Sequence, residues 1–275
     1  SETVAGTLTP TELADELLPD DGAIDIVDGS VEYAGASAAA GTFSGRIQAA
    51  TDGDGQDAFG FDEGIVLGTG AVTNIEGPNE GSNTTTEFNT AGDGDLDGLT
   101  TGDTTDAATL TFEFDVPEGA QTISFRYLFG SEEYNKYVFS PFNDVFGFFL
   151  NGTNVATVEG APTAINNINH GFDGEVDDAD NDADAGPPVN PKLYVNNDPV
   201  NGTNVHGSVD PEDPPGLGIG FDPETDPAPY DTEMDGLSVE LAIEAPVDAA
   251  ENPQEIKLAV ADVDDAQLDT WVLIE

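Results

Sequence analysis

The sequence predicts an all-β protein: a jelly-roll-like β-sandwich with long acidic loop insertions and one short N-terminal helix. Three observations point there. Apolar residues fall in short alternating runs, most of them bounded by Gly, Pro, Asn or Asp. Leu150-Asn151-Gly152-Thr153 joins two such runs through a dipeptide suited to a type I′ hairpin turn. One segment alone has good helix signals. Thr9-Pro10-Thr11-Glu12 reads as a capping box with Pro at the first helical position, and Leu13 and Leu17 follow one turn apart.

In chain order, Ser1–Thr9 is an extended arm, and the helix after it closes at Pro19. The strand candidates are Ile24–Val27, Ser30–Tyr33, Ile65–Leu67, Thr109–Val116, Thr122–Phe129, Val145–Leu150, Asn154–Val158, Leu237–Ile243, Glu255–Val263 and Thr270–Ile274. Two stretches break the pattern. Residues 77–106 are rich in Gly, Asn, Thr and Asp, and residues 171–233 are rich in Asp, Pro, Gly and Asn. Both read as loops or insertions on one domain spanning residues 1–275, and no fixed-period repeat is present.

The 275 residues include 56 Asp and Glu against 5 Lys and Arg, a formal net charge of −51. A nucleic-acid surface needs clustered Arg and Lys, so that partner class is excluded, and an anionic membrane is disfavoured for the same reason. No apolar run approaches the ~18 residues of a transmembrane helix. The absence of Cys removes thiol catalysis, disulfides and thiolate metal sites. Two His, at 170 and 206, leave little for a histidine metal site or a triad, and each reads as a loop residue. Acid-rich composition often means disorder, but 15 Phe and 6 Tyr in ordered runs argue for a folded chain. Self-repulsion of that charge fades where the Debye length falls to about 3 Å, near 1 M salt. A halophile of archaeal type is the expected source, and the start at Ser1 suggests a removed signal peptide or a trimmed chain. The sequons at Asn83, Asn151 and Asn201 permit extracellular N-glycosylation but occur near chance frequency.

Aspartate chemistry dominates the motifs, and carboxylate oxygens suit Ca²⁺. Asp93-Gly-Asp95-Leu-Asp97-Gly98 opens like an EF-hand loop, but Thr104 stands where the bidentate Glu belongs. A partial calcium loop and an acidic surface turn both remain open there. Asp178, Asp180, Asp182 and Asp184 alternate similarly but lack the Gly and the closing Glu, which favours a solvated loop. A denser set lies at strand ends. Glu132 and Glu133 follow one hydrophobic strand, with Asn143 and Asp144 soon after, and Asp262, Asp264, Asp265 and Asp269 end another. Carboxylates against buried strands are costly unless neutralised, so a shared Ca²⁺ is favoured over a salt-screened surface cluster. A glycosidase pair would have to come from distant segments, and no GxSxG, phosphate loop or HExxH motif is present.

The run Ile123-Ser-Phe-Arg-Tyr-Leu-Phe-Gly-Ser-Glu-Glu-Tyr-Asn-Lys-Tyr137, continuing to Phe142-Asn-Asp-Val-Phe-Gly-Phe-Phe-Leu150, closely resembles the choice-of-anchor L family of secreted prokaryotic surface proteins. The likeness extends to Tyr33-Ala-Gly35, Gly41-Thr-Phe43, Gly64-Ile-Val-Leu-Gly-Thr-Gly70, Gly77-Pro-Asn79, Asp93–Leu99, Asp106-Ala-Ala108, Ile165–Asn169 and Met234-Asp-Gly236. It ends in Lys257–Thr270, with Thr where the family has Ser. The resemblance implies a secreted all-β surface domain. By position it singles out Glu132, Glu133, Asn143, Asp144, Asp262, Asp265 and Asp269, while Asp264 falls where the family pattern is looser.

Family members usually continue into an anchoring tail, whereas this sequence stops at Trp271-Val-Leu-Ile-Glu275. The expectation is therefore a non-enzymatic extracellular structural protein that self-assembles into a surface filament or matrix, stabilised by Ca²⁺ and salt. The arm at residues 1–9 would add a strand to a neighbouring copy, unless it pairs within its own domain. The alternative is a calcium-dependent adhesin that binds surface glycans, with Tyr194, Phe221 and Tyr230 as its aromatic candidates. A hydrolase ranks third.

Overall fold

A computed structural model describes residues 2–5, 8–18, 24–47, 60–79, 83–171, 186–197 and 230–275, with backbone only for 2–5. The strands are β1 (Glu2–Ala5), β2 (Asp25–Ile26), β3 (Glu32–Ala34), β4 (Ala40–Ser44), β5 (Glu63–Gly68), β6 (Thr104–Asp115), β7 (Thr122–Ser131) and β8 (Val145–Leu150). They continue as β9 (Thr153–Asn154), β10 (Thr157–Val158), β11 (Ala161–Ala164), β12 (Tyr194–Asn196), β13 (Gly236–Ser238), β14 (Leu241–Pro246), β15 (Gln254–Val263) and β16 (Thr270–Ile274). Helix α1 is Pro10–Glu16, and α2 is the single turn Gly94–Asp97.

These strands form two antiparallel sheets packed as a sandwich. The first runs β1-β4-β5-β16-β7, with β13 and β14 sharing the far edge of β7 and β12 beyond β13. The second runs β10-β11-β8-β15-β6, with β2 and β3 sharing the far edge of β6, and β9 beside β8. Alternation along β7 and β8 turns one row of side chains inward from each sheet. Across the gap the Phe125 and Phe148 rings lie 4.9 Å apart, and those of Tyr127 and Phe146 5.1 Å apart. The inward rows of β6, β15 and β16 complete this core, and α1 closes one margin with Leu13, Ala14 and Leu17.

The outer faces are covered as well. Val66, Leu128, Trp271 and Leu273, on the back of the first sheet, pack with Val72, Ile75, Tyr230 and Met234 from loops. Phe149, Ala259 and Ala261, on the back of the second sheet, pack under Leu96 of α2. Central strands buried on both sides explain why β8 and β16 read as unbroken apolar runs.

The predicted strands are present, with corrected edges. Leu237–Ile243 is two strands, β13 and β14, that follow one another along β7, and Asn154–Val158 is split between β9 and β10. The Asn151-Gly152 turn joins β8 to β9 with φ of +50° and +75°, as a type I′ turn requires. The capping box forms, with the Thr9 hydroxyl accepting from the Glu12 amide and the Glu12 carboxylate from the Thr9 amide. The loop expected over 77–106 contains α2 and the start of β6. The insertion expected over 171–233 contributes β12 to the first sheet, while residues 172–185 and 198–229, with Asp178–Asp184, Asn201, His206 and Phe221, lie outside the described residues. The N-terminal arm pairs within its own chain: Glu2–Ala5 lies antiparallel on Ser44–Gly41 at the edge of the first sheet. That pairing replaces the expected reach into a neighbouring copy in the single chain.

Candidate functional site

Two connections cross between the sheets at one end of the sandwich. Residues 132–144 lead from β7 to β8, and residues 264–269 lead from β15 to β16. Because Ser131 pairs with Thr270 in one sheet and Val145 with Ala261 in the other, the two crossovers lie side by side. The carboxylates that sequence reasoning grouped are thereby brought to one joint. Glu132, Glu133, Asp144, Asp262 and Asp269 are all at most 2% exposed. Asp265 and Asn143 are half-buried at its margin.

Hydrogen bonds tie the joint together. Asp144 Oδ1 accepts from the Val263 amide at 3.0 Å, and its Oδ2 accepts from the Thr270 hydroxyl at 2.6 Å. That hydroxyl is also 2.8 Å from the Ser131 hydroxyl. The Thr270 amide donates to the Thr69 hydroxyl at 2.9 Å, and Thr69 in turn serves Asp262. Asn143 Oδ1 accepts from the Asn166 amide at 2.8 Å, anchoring the start of β8 to the turn after β11.

An irregular strap, residues 84–90, lies over the joint and is held largely by carboxylates. Glu132 Oε2 accepts from the Thr84 amide at 3.2 Å, and Asp269 Oδ1 from the Thr86 amide at 2.6 Å. Asp106 accepts from the Phe88 and Thr90 amides. An irregular chain has no ladder to satisfy its N–H groups, so these side chains do that work. Gly70 leaves room for Asp269: a Cβ there would stand 1.9 Å from its carboxylate. Thr69, Thr84, Thr86 and Asp106 were missed as joint residues. The only sequence signals were the Thr-Gly and Thr-rich stretches, which look like ordinary loop composition.

Some oxygens in the joint have no hydrogen-bond partner: Glu132 Oε1, Glu133 Oε2, Asp262 Oδ1, Asp269 Oδ2 and the buried Tyr134 hydroxyl. Burial followed by mutual repulsion pushes the Glu133 and Asp262 carboxyls well above the usual range, with Asp144 as the neighbouring charge for both. Burial also raises Asp144 to about 7 and Asp269 to about 6, against the hydrogen bonds that favour their ionised forms. Glu132 is raised by burial and by Asp235 beside it, while Lys136 pulls both glutamates the other way. Asp235 itself is fully buried and accepts from the Asn79 amide group at 3.0 Å.

Asp93, Asp95 and Asp97 form a separate arrangement on the back of the second sheet. Asp93 caps α2, accepting from the Asp95 and Leu96 amides at 3.1 and 3.2 Å. Lys257 of β15 reaches both Asp93 oxygens, at 2.7 and 2.6 Å, and Asp95 Oδ2 at 2.6 Å. Its ammonium also lies 5.6 Å from the centre of the Phe149 ring. Asp97 accepts from the Thr104 amide and hydroxyl, which hold its carboxyl below the usual range. The segment, left open between a partial calcium loop and an acidic surface turn, is a helix cap whose carboxylates meet a lysine. Among the described residues, no three His, Asp or Glu side chains are arranged to hold a metal ion as they stand.

Of the glycan-stacking candidates, the two among the described residues do not face solvent: Tyr194 and Tyr230 are 1% and 4% exposed. Tyr194 instead donates from its hydroxyl to Asn135 at 2.7 Å and packs against Tyr134 at 4.9 Å between centroids. His170 lies beside the Tyr194 ring. No helix among the described residues is long and apolar enough to cross a membrane.

No curated protein and no solved structure matches the chain. The sequence model of the choice-of-anchor L domain matches residues 2–275, from β1 through β16, so the chain belongs to the choice-of-anchor L family and is a surface or secreted protein.

Proposed function

We propose that this choice-of-anchor L protein is a non-enzymatic structural subunit outside the cell, one that associates with copies of itself into a filament or matrix in high salt and calcium. The observation that supports this reading best is how the carboxylates are used. Glu132, Asp144 and Asp269 are sealed at the joint, at most 2% exposed, where they fasten two crossovers and a strap. A glycosidase needs its acid and its nucleophile or base beside an accessible sugar bond. A fastened joint serves mechanical strength instead.

The charge of −51 sets the condition for assembly. Like-charged copies repel in dilute buffer, and molar salt or bridging Ca²⁺ removes most of that repulsion. Sheet edges offer a contact mode. Among the described residues, β1 and β14 are outermost on opposite sides of the first sheet, and joining unlike edges of successive copies makes an open filament. The calcium-dependent adhesin reading has less support, because both described aromatic candidates are buried.

Negative-stain electron microscopy in molar salt, with Ca²⁺ and then after chelation, tests this reading. Ordered filaments that disperse on chelation are expected. Monodisperse particles in both states would refute self-assembly, and a screen for calcium-dependent glycan binding would then follow.

A further inference from the structure

We propose that a Ca²⁺ ion binds at the joint between the two sheets, centred on the Asp144–Asp262 carboxyl pair, and clamps the β7–β8 crossover to the β15–β16 crossover. This locates the calcium of the function proposed above and rests on that reading for its physiological setting, but not for its test.

The argument starts from the pair. Asp144 immediately precedes β8 and Asp262 lies near the end of β15; Val145 pairs with Ala261, so the antiparallel register sets Asp144 opposite Asp262, and both are buried. Two buried carboxylates set opposite each other repel unless a proton or a cation neutralises them. A proton satisfies two oxygens. The joint offers more than two, because Asp262 Oδ1, Glu133 Oε2 and the Tyr134 hydroxyl are all buried and unpartnered. Glu133 is tied to the same place: its amide donates to the Ser131 hydroxyl, which lies 2.8 Å from the Thr270 hydroxyl that donates to Asp144, and Tyr134 follows it in the chain.

Tyr134 is an observation independent of the acidic cluster. A phenol hydroxyl at 0% exposure, without a hydrogen-bond partner, normally finds one. Ca²⁺ accepts six to eight oxygens in flexible geometry, including neutral ones, so it suits a site with few carboxylates and several hydroxyls. Thr69 and Thr270, which hydrogen-bond Asp262 and Asp144, bring two such hydroxyls next to the pair. This explains why no three acidic side chains converge: the site is a carboxyl pair in a setting of neutral oxygens. Asp93 and Asp95 are no part of it, since Lys257 already holds them.

The test is terbium luminescence and calcium titration of the whole chain in molar NaCl, which screens the diffuse binding of the many surface carboxylates. Tyr134 and the buried Trp271 serve as sensitisers. The expected result is saturable terbium emission that Ca²⁺ displaces, with a midpoint of about 0.1–1 mM, the range of extracellular calcium modules. Asp262→Asn and Asp144→Asn should each weaken it at least tenfold. Glu244→Gln, on exposed β14, should leave it unchanged and controls for lost charge. Circular dichroism shows whether each variant folds, and the wild-type titration stands without them. Absence of saturable binding by the wild-type chain overturns the proposal, as does retained affinity in both folded joint variants. Binding without filaments would leave the clamp standing and remove the assembly reading instead.

Discussion

Two aspartate-rich places in this protein solve the same electrostatic problem differently. At α2, Asp93 and Asp95 meet the ammonium of Lys257, and the helix backbone takes a further share of Asp93. At the joint, Asp144, Asp262 and Glu133 are sealed between sheets, and the partners they find are hydroxyls, amides and one another. The first place brings its own cation from within the chain. At the joint the cation within the chain is Lys136, which acts on Glu132 and Glu133, while Asp144 and Asp262 are left to hydroxyls and amides. Both places are aspartate-rich, so composition alone does not set them apart. What differs is where lysine stands along one strand: β15 puts Lys257 beside α2 and Asp262 at its far end.

The largest effect that separates the two places is a pH dependence. The folded-state carboxyl of Asp144 is at about 7 and that of Asp269 at about 6, both raised by burial, against about 3.9 in an unfolded chain. A raised acid favours the folded state while protonated. In calcium-free molar salt this contribution is full below pH ~4 and is lost as pH rises through about 7. For Asp144 alone the loss is on the order of 4 kcal/mol. Urea midpoints should therefore fall from pH 5 to pH 8, and Asp144→Asn should flatten the profile. A midpoint that rises across this range would show that the joint is not a cluster of raised acids. The α2 region supplies the next effect. Leu96, on the inner side of α2, is fully buried, and Leu96→Ala should cost roughly 2–5 kcal/mol by cavity formation, equally at both pH values. A pH-dependent loss in that variant would mean that cap and joint are coupled, and the comparison would fail.

Much of the sandwich was legible because its signals are local. The capping box at Thr9–Glu12, the Asn151-Gly152 turn and the bounded apolar runs of β7, β8, β15 and β16 each depend on neighbours in sequence. The joint was legible as composition, since Glu132, Glu133, Asp144, Asp262 and Asp269 all stood at the ends of strands. The unforeseen parts depend on distant partners. The strap at 84–90 has no pattern of its own and takes its shape from Glu132, Asp269 and Asp106. Strand β12 sits in an acidic stretch and is defined by its pairing with β13. The Asp93–Asp97 segment stayed open between a calcium loop and a surface turn because the residue that pairs with it, Lys257, is 164 positions away.

The smallest effects test whether Lys257 really replaces an ion at α2. Lys257→Met keeps the apolar stem over Phe149 and removes the charge. Asp93 is left with its carboxylate only 16% exposed, so the variant should lose about 2 kcal/mol, less than the cost of breaking a fully sealed pair. Thermal melts of Lys257→Met with and without Ca²⁺ would then show whether a metal ion can take the vacated place. The expectation is that it cannot, because one buried carboxylate and one exposed carboxylate make too few ligands. A rescue by Ca²⁺ specific to this variant would turn the cap back into a calcium loop. Asp95→Asn should do least. Asp95 is 62% exposed, its pairing with Lys257 is screened by solvent, and the loss should stay below about 1 kcal/mol and shrink further in molar salt. A larger loss that persists in salt would mean that Asp95 positions Lys257 for Asp93, making the three groups one unit and not a pair with a bystander.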